Sequence, residues 1–156
     1  MAFNRPMHPL EGLERYRKLI AADPQNATLY YRMGMLLRTI RRYPQALEAF
    51  RQGYEQSTDN PEFILHLAMA EHDFGDPALA EERYEETIAL LERQPMGDPY
   101  NFELGQTARR GHRLLKHNKK SPWQPELLEE ENAGTAKPSW QRKRKKARQP
   151  KKKRRK

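Results

Sequence analysis

Apolar side chains recur three and four positions apart through most of the first 117 residues. Two clear stripes are Leu13, Tyr16, Leu19 and Ile20, and Ala46, Leu47, Phe50 and Tyr54. This spacing puts apolar groups on one face of an α-helix. Runs of alternating β-branched residues, which would indicate strands, are missing from the sequence. The pattern therefore predicts an all-α domain.

Several dipeptides predict where the helices begin. Asn60-Pro61, Asp76-Pro77 and Asp98-Pro99 each offer a side-chain acceptor at the N-cap and a proline at the first helical position. Asn26 with Thr28 and Tyr43-Pro44 give two further starts. The predicted helices cover residues 11–22, 27–40, 44–57, 61–74, 77–93 and 99–117. Their short links predict antiparallel neighbours.

The same pattern of small and large residues returns after 34 positions. The first copy is Tyr30, Met33, Gly34, Leu37, Tyr43, Ala46, Phe50 and Gly53, and the second is Ile64, Leu67, Ala68, Glu71, Pro77, Ala80, Tyr84 and Thr87. This helix-turn-helix period resembles the tetratricopeptide repeat over roughly residues 11–117. The resemblance implies a short α-solenoid in which Ala46, Phe50, Ala68, Ala80 and Tyr84 are buried between helices. Glu71 departs from the family pattern, because the corresponding position of the tetratricopeptide repeat is usually apolar.

The resemblance divides the chain into a flexible N-terminus over residues 1–10 and a repeat domain over residues 11–117. The domain comprises a half repeat (11–25), two full repeats (27–60 and 61–94) and a capping helix (99–117). A disordered linker (118–141) and a basic tail (142–156) are expected to follow.

The resemblance to the tetratricopeptide family implies that the first helix of each repeat lines a concave groove, and that this groove binds a protein or peptide. By phase, the groove residues here are Tyr31, Arg32, Met35, Arg38, Thr39, Leu65, His66, Met69, His72 and Asp73. Tyr31 and Met35 stand where the family's carboxylate clamp has Lys and Asn, which disfavours binding of chaperone C-termini. Because Arg38 and His72 are assigned to the groove and not to the core, replacing them should hardly change stability. The alternative is that the groove packs against the chain's own tail or is ordinary surface.

The sequence gives little support for an enzyme. It has no cysteine, so disulfides, thiolate metal sites and cysteine nucleophiles are excluded. His66 and Asp73 share a helix face without a third ligand, and no phosphate-binding loop or serine elbow is present. The acidic pairs Glu81-Glu82 and Glu85-Glu86 are interpreted as a solvated row. We therefore expect neither catalysis nor a cofactor or metal.

No apolar run approaches the ~20 residues of a membrane span, and the N-terminus lacks the apolar stretch of a secretory signal. We accordingly expect a monomeric, cytoplasmic protein without a membrane partner, or a nuclear one if the source is eukaryotic.

The helical periodicity ends at Asn118. The following residues contain prolines, a glycine and acidic groups, and both tryptophans of the chain, in Ser121-Pro122-Trp123-Gln124 and Pro138-Ser139-Trp140-Gln141. Each tryptophan could anchor a linear motif or stack on bases. For Trp123 we favour folding back on the last helix as a cap. For Trp140, which abuts the basic block, neither interpretation is favoured.

The formal charge of +9 is concentrated at the C-terminal end. Residues 142–156 hold twelve basic and no acidic residues, which leaves residues 1–141 with 18 basic against 21 acidic, a charge of −3. Such density suits phosphate backbones through counterion release, without base readout. The predicted contacts are Trp140, Arg142, Lys143, Arg144, Lys145, Lys146, Arg148, Lys151, Lys152, Lys153, Arg154, Arg155 and Lys156. The hypothesis is an adaptor that binds a protein through its groove and RNA, DNA or the ribosome through its tail. The alternative is a protein-protein scaffold whose tail solubilises or targets it.

Overall fold

The structure, a computed structural model, describes residues 8–57, 59–95 and 97–123. This part of the chain contains six helices: α1 (Pro9–Ala22), α2 (Ala27–Thr39), α3 (Tyr43–Gln56), α4 (Pro61–Phe74), α5 (Pro77–Glu92) and α6 (Pro99–Lys116). All six predicted helices are confirmed, with ends that differ by no more than two residues.

Three of the predicted N-caps act as expected. The side chain of Asn60 accepts hydrogen bonds from the backbone N–H groups of Glu62 and Phe63, and Asp76 and Asp98 each accept one. These bonds satisfy donors that a helix start leaves without intrahelical partners. Asn26 stands at the N-cap of α2 but makes no capping bond, and its amide instead donates to Asp23.

The helices form a short solenoid of hairpins. Each helix packs on the next one along the chain, and α4 also packs on α6. Ring contacts and a hydrogen bond from Tyr31 to residues of α4 bring α2 beside α4 as well. The helices α2 and α4, which begin the hairpins α2–α3 and α4–α5, and the last helix α6 thus share one side of the array, which we call the inner face. The all-α repeat architecture is confirmed.

Small residues allow the helices to approach closely, as the repeat pattern predicts. Ala46, Ala68 and Ala80 have no exposed surface, and Phe50 and Tyr84 are buried beside them. The Phe50 ring lies against Gly34 so closely that a Cβ there would be 2.6 Å from its edge. A close-packed interior has no free volume for that extra atom.

Glu71, which breaks the apolar pattern, is buried and ion-paired. Its two carboxylate oxygens accept hydrogen bonds from Nε and a terminal nitrogen of Arg51 at 2.6 and 2.8 Å. Oxygen Oε2 also accepts the backbone N–H of Asp76 at 3.0 Å. A buried charge is tolerated when it is paired and hydrogen-bonded in this way.

The end of α6 turns the chain back toward the helices. The N–H of Lys119 bonds to the carbonyl of Leu114, and the N–H of Asn118 bonds to that of Leu115. This is the Schellman pattern, which requires a left-handed residue after the helix. Asn118 supplies it with φ 54°, a conformation that asparagine tolerates better than most residues.

Candidate functional site

Residues 119–123 lie on the inner face, and we call them the return segment. Ser121 and Trp123 are both buried. The sequence placed these residues in a linker that starts at residue 118. The structure instead places them in one compact unit with the helices, a unit that ends at Trp123. The folded part of the chain therefore extends six residues beyond the predicted boundary, because long-range contacts hold this aperiodic stretch.

Asp73, near the end of α4, binds Ser121 through both carboxylate oxygens. The backbone N–H of Ser121 donates to Oδ1 at 2.9 Å, and its hydroxyl donates to Oδ2 at 2.7 Å. The same hydroxyl oxygen accepts the backbone N–H of Trp123 at 3.1 Å. Hydrogen bonds to an ionised acceptor are about twice as strong as neutral ones. Asp73 consequently fixes the position of the turn that precedes Trp123.

Two further side chains of the inner face bind backbone carbonyls of the return segment. Arg38 donates to the carbonyl of Trp123 at 2.8 Å. His72 Nε2 lies 2.7 Å from the carbonyl of Lys119, and its Nδ1 lies 3.1 Å from the hydroxyl of Tyr84. Because a carbonyl only accepts, Nε2 carries the proton, and Nδ1 of the neutral ring accepts from Tyr84. Burial is the main cause that lowers the pKa of His72, which favours this neutral form.

The indole of Trp123 is enclosed by aromatic rings and a guanidinium group. Its ring centre lies 5.9 to 6.1 Å from those of Tyr43, Phe50 and Phe74, at tilted or edge-on angles. The guanidinium carbon of Arg38 lies 5.2 Å from the indole centre. Such geometries are favourable for aromatic pairs and for a cation over a π-system. We call these four residues, Arg38, Tyr43, Phe50 and Phe74, the tryptophan pocket.

The indole nitrogen of Trp123 and Nδ1 of His66 are buried without a hydrogen-bond partner among the described residues. Burial, followed by the charge of Arg38, lowers the pKa of His66 to about 4. The His66 ring packs between Tyr31 and Phe50, with centre distances of 5.4 and 6.0 Å. His66 is therefore neutral near pH 7 and contributes as an aromatic surface.

The N-terminal halves of α2 and α4 carry a second group of inner-face side chains. The Tyr31 ring stacks on Phe63 at 4.1 Å, and its hydroxyl donates to Glu62 at 2.9 Å. Burial and this hydrogen bond raise the pKa of Tyr31. Tyr100 of α6 is half exposed nearby, and burial, followed by a hydrogen bond with Glu62, raises its pKa.

The predicted groove residues divide into three groups. Partly buried side chains on the inner face are Tyr31, Met35, Arg38, His66, His72 and Asp73, while Arg32 and Thr39 are exposed. Leu65 and Met69 are different, because they belong to the hydrophobic core with 2% and 4% of their surface exposed. Neither side chain therefore has exposed surface to offer a ligand, and their place in the groove stays a prediction of the 34-residue phase.

The structure also alters two other sequence-based interpretations. Arg38 and His72 bind the return segment, so they contribute to packing that the sequence did not reveal. Trp123 folds back as expected, but its ring neighbours belong to α3 and α4 and not to the last helix. Sequence reasoning did not assign Tyr43, Phe74, Glu62 or Tyr100 to this face. The isolated Ser-Pro-Trp was the one signal that pointed to a contact here.

Glu81, Glu85 and His112 could each offer one atom to a metal ion, and these atoms lie within 4.8 Å of one another. Both carboxylates, however, are within ion-pair distance of His112, and the amine of Lys116 lies 3.5 Å from Glu81. These groups join α5 to α6 and are not a purely solvated row. The positive charge of Lys116 disfavours a cation at this place.

Trp140 and the basic residues of 142–156 lie outside the described residues. Within the ranges that the structure describes, no helix combines the length and apolar character of a membrane span.

The chain matches no protein-family model and no curated protein by sequence. Its fold is similar to those of solved structures from bacterial secretion. PcrH, in complex with the chaperone-binding region of PopD, is 21% identical with a TM-score of 0.60, over 70% of this chain and 79% of that chain. A type III secretion complex from Aeromonas hydrophila is 18% identical with a TM-score of 0.61, over 70% of each chain.

The type III secretion translocator chaperone SycD from Yersinia enterocolitica is 17% identical with a TM-score of 0.60, over 70% of this chain and 72% of that chain. PcrH and SycD are tetratricopeptide-like, all-helical repeat proteins. At these identities the similarity concerns the fold, and it agrees with the repeat architecture that the 34-residue period predicts.

Proposed function

We propose that this protein is a non-enzymatic adaptor of the tetratricopeptide type whose inner face binds a short segment of a partner protein. The observation that carries the proposal is that this face already binds a short non-helical peptide, the return segment. Arg38 and His72 bind its backbone carbonyls, and Asp73 binds a backbone N–H. Contacts to the backbone suit many sequences, whereas an aromatic pocket selects an anchor residue.

The contacts define the chemistry of a suitable partner segment. It needs a large aromatic side chain for the tryptophan pocket. A hydroxyl-bearing residue two positions earlier satisfies Asp73, as Ser121 does. The complex of PcrH with a region of PopD supports this proposal, because a protein of the same fold binds a segment of another protein.

A partner segment that uses these contacts has to compete with the return segment. The tethered ligand reduces the fraction of molecules whose groove is open, and the apparent affinity falls by the same fraction. Partner binding would thus be weakened by a ligand that is part of the same chain.

Variants on the two sides of this contact test the proposal. Trp123→Ala empties the pocket from the ligand side and should increase recovery of a crosslinked partner from native cells. Arg38→Ala combined with Asp73→Ala breaks the same contact from the groove side and should decrease recovery. Circular dichroism must confirm that both variants retain their helices. If both variants change recovery in the same direction, the return segment is a structural cap and the groove is not the binding site.

We propose further that residues 142–156 bind nucleic acid or a ribonucleoprotein without sequence specificity. This part of the proposal rests on the twelve basic residues of the sequence, which lie outside the described residues. About six phosphate contacts imply a slope of log affinity against log salt near −4 on single strands, at roughly −0.7 per contact. Scrambling residues 142–156 should preserve binding to single-stranded RNA, whereas changing residues 142–146 to Gln should lower affinity and slope. A slope near zero would instead favour the alternative, a tail that solubilises or targets a protein-protein scaffold.

A further inference from the structure

Two tyrosine–glutamate pairs connect consecutive hairpins of the array. The hydroxyl of Tyr54 in α3 donates to the two carboxylate oxygens of Glu86 in α5 at 3.1 and 3.0 Å. The hydroxyl of Tyr31 in α2 donates to Glu62 in α4 at 2.9 Å. The partners are 32 residues apart in the first pair and 31 in the second. The two pairs are therefore similar arrangements, one between α3 and α5 and one on the inner face.

An arginine completes the pair between α3 and α5. The guanidinium carbon of Arg83 lies 4.2 Å from the centre of the Tyr54 ring, and a terminal nitrogen of the same group donates to Glu86 at 2.9 Å. A guanidinium group suits this place because it can lie over an aromatic ring and bind a carboxylate at the same time. This triad shows which chemical group the protein itself combines with a glutamate that binds a tyrosine hydroxyl.

At Glu62 the described residues supply no such cation. None of the ion pairs among them includes Glu62. Arg83 stands three residues before Glu86, whereas the residue three positions before Glu62 is the acidic Asp59. Glu62 is partly buried, and an ionised carboxylate has about four acceptor positions. It can therefore accept the Tyr31 hydroxyl and still bind a guanidinium group.

Tyr100 of α6 offers an exposed ring beside the same carboxylate. The Tyr31 ring is partly buried and stacks on Phe63 at 4.1 Å. Tyr100, in contrast, is 51% exposed, and burial, followed by a hydrogen bond with Glu62, raises its pKa. Its ring can take the place beside Glu62 that the Tyr54 ring has in the other triad. We call Tyr31, Glu62 and Tyr100 the Glu62 site.

We propose that the Glu62 site binds an arginine side chain of the partner segment. The guanidinium group would pair with Glu62 and lie over the ring of Tyr100, in the arrangement that Arg83 adopts. Glu62 lies in the first turn of α4, where the positive end of the helix dipole stabilises an ionised carboxylate. This inference rests on the proposed function, because it adds a second contact on the inner face to those of the tryptophan pocket.

Helix geometry gives the spacing for a segment that runs from the tryptophan pocket toward the starts of α2 and α4. Tyr31 precedes Arg38 by seven residues and Glu62 precedes Asp73 by eleven. At about 1.5 Å per residue, these separations are about 10 and 16 Å. An extended peptide covers about 3.3 Å per residue, so they correspond to about three and five residues. Arg38 binds the tryptophan carbonyl, and Asp73 binds the residue two positions earlier. Both distances thus place the arginine about three residues after the aromatic anchor.

Peptides that differ in one side chain test this contact. Each fluorescent probe carries residues 118–124 followed by four glycines, and one glycine is replaced by Arg or, in the matched control, by Gln. The replaced position runs from two to five residues after the tryptophan. The receptor is full-length Trp123→Ala, which removes the chain's own side chain from the tryptophan pocket. We expect Arg near the third position to bind about three- to tenfold more tightly than Gln by fluorescence anisotropy.

Receptor variants assign the preference for Arg to the Glu62 site. Glu62→Gln keeps an acceptor for Tyr31 but removes the charge, so the preference should disappear. Tyr100→Leu should lower it about two- to fivefold, and this exposed position serves as the second test if Glu62→Gln does not fold. Glu55→Gln removes an exposed carboxylate from α3 and should leave the preference unchanged. Circular dichroism must confirm that each variant retains its helices.

The outcomes separate this inference from the proposed function. If the peptides bind but no Arg probe exceeds its Gln control, the Glu62 site does not bind arginine, while the inner face remains a peptide-binding surface. A preference for Arg that survives both Glu62→Gln and Tyr100→Leu would also overturn the inference. If no peptide binds at all, the proposed function is contradicted and this inference fails with it.

Discussion

Asp73 and Ser121, 48 residues apart in the sequence, are joined by two hydrogen bonds to one carboxylate. This contact connects the end of α4 to a stretch that follows the last helix. It orients the backbone so that Trp123 enters the tryptophan pocket, and Arg38 and His72 complete the attachment. We therefore propose this surface as the place where a segment of another protein binds.

Removal of the Ser121 hydroxyl should destabilise the protein measurably. Ser121→Ala leaves one oxygen of Asp73 without its 2.7 Å donor and also removes the acceptor for the N–H of Trp123. We expect a loss of about 1 to 2 kcal/mol in the free energy of unfolding, measured in urea. The control Thr28→Ala removes an exposed hydroxyl on α2 and should change stability by less than about 0.5 kcal/mol. Equal effects of the two substitutions would mean that the return segment is not held through Asp73.

Two glycines of α6 should respond oppositely to alanine. A Cβ at Gly111 would be 2.5 Å from the buried ring of Tyr84, whereas at Gly105 its nearest neighbour would be the end of the flexible Arg109 side chain at 3.2 Å. We expect Gly111→Ala to lose about 1 to 3 kcal/mol from overpacking. Gly105→Ala should be neutral or gain up to about 1 kcal/mol in helix propensity. Thermal melts of both variants check this, and an equally stable Gly111→Ala would contradict the contact between α5 and α6.

Removing Arg51 alone from its ion pair with Glu71 should lower the free energy of unfolding more than removing both charged side chains. Among the described residues, Arg51→Ala leaves the buried carboxylate with the backbone N–H of Asp76 as its remaining hydrogen-bond donor. We expect a loss of about 2 to 3 kcal/mol, somewhat below a fully buried pair because Arg51 is partly exposed. Adding Glu71→Leu removes the unpaired charge and should restore part of this stability. A double variant less stable than Arg51→Ala would show that the carboxylate is not the source of the loss.

Stability should fall on mild acidification because of His66. Its pKa is about 4 in the folded protein, against 6.5 for an unperturbed histidine, owing to burial and then to Arg38. As pH falls below 6.5, the unfolded chain binds the proton first. The free energy of unfolding decreases until about pH 4, by up to about 3 kcal/mol at ~1.4 kcal/mol per pKa unit. Urea titrations at pH 7 and 4.5 should give a smaller difference for His66→Phe than for the parent. The exposed His117→Gln should behave like the parent, and an unchanged difference in His66→Phe would contradict burial of the ring.

The helices were predictable because their signals are local. Asn60, Asp76 and Asp98 cap the helices that they precede, and the alanines of the 34-residue repeat are buried where that period requires. Each of these signals lies within a few residues of its effect or repeats at a fixed interval.

The site was predictable only in part because it depends on distant contacts. Their positions in the 34-residue repeat assigned Arg38, His72 and Asp73 to the groove. Nothing in that period, however, indicates that these side chains contact residues 119–123. The phase also gives no measure of how far a side chain is covered, and Leu65 and Met69, which it assigned to the groove, are buried. A short aperiodic stretch such as Ser121-Pro122-Trp123 acquires its structure from the surface that it contacts, so local rules classify it as linker.

Binding of a labelled peptide tests the central claim, that the inner face is a peptide-binding groove, most directly. The probe carries residues 118–124 as a separate fluorescent peptide, and the receptor is full-length Trp123→Ala with Trp140→Ala, whose pocket has no tethered tryptophan. We predict saturable binding by fluorescence anisotropy, weakened roughly tenfold or more when Asp73→Ala is added to the receptor. The parent chain, whose pocket is filled, should bind much more weakly. A correctly folded receptor that does not bind the peptide, or binds it equally with and without Asp73, would contradict the account.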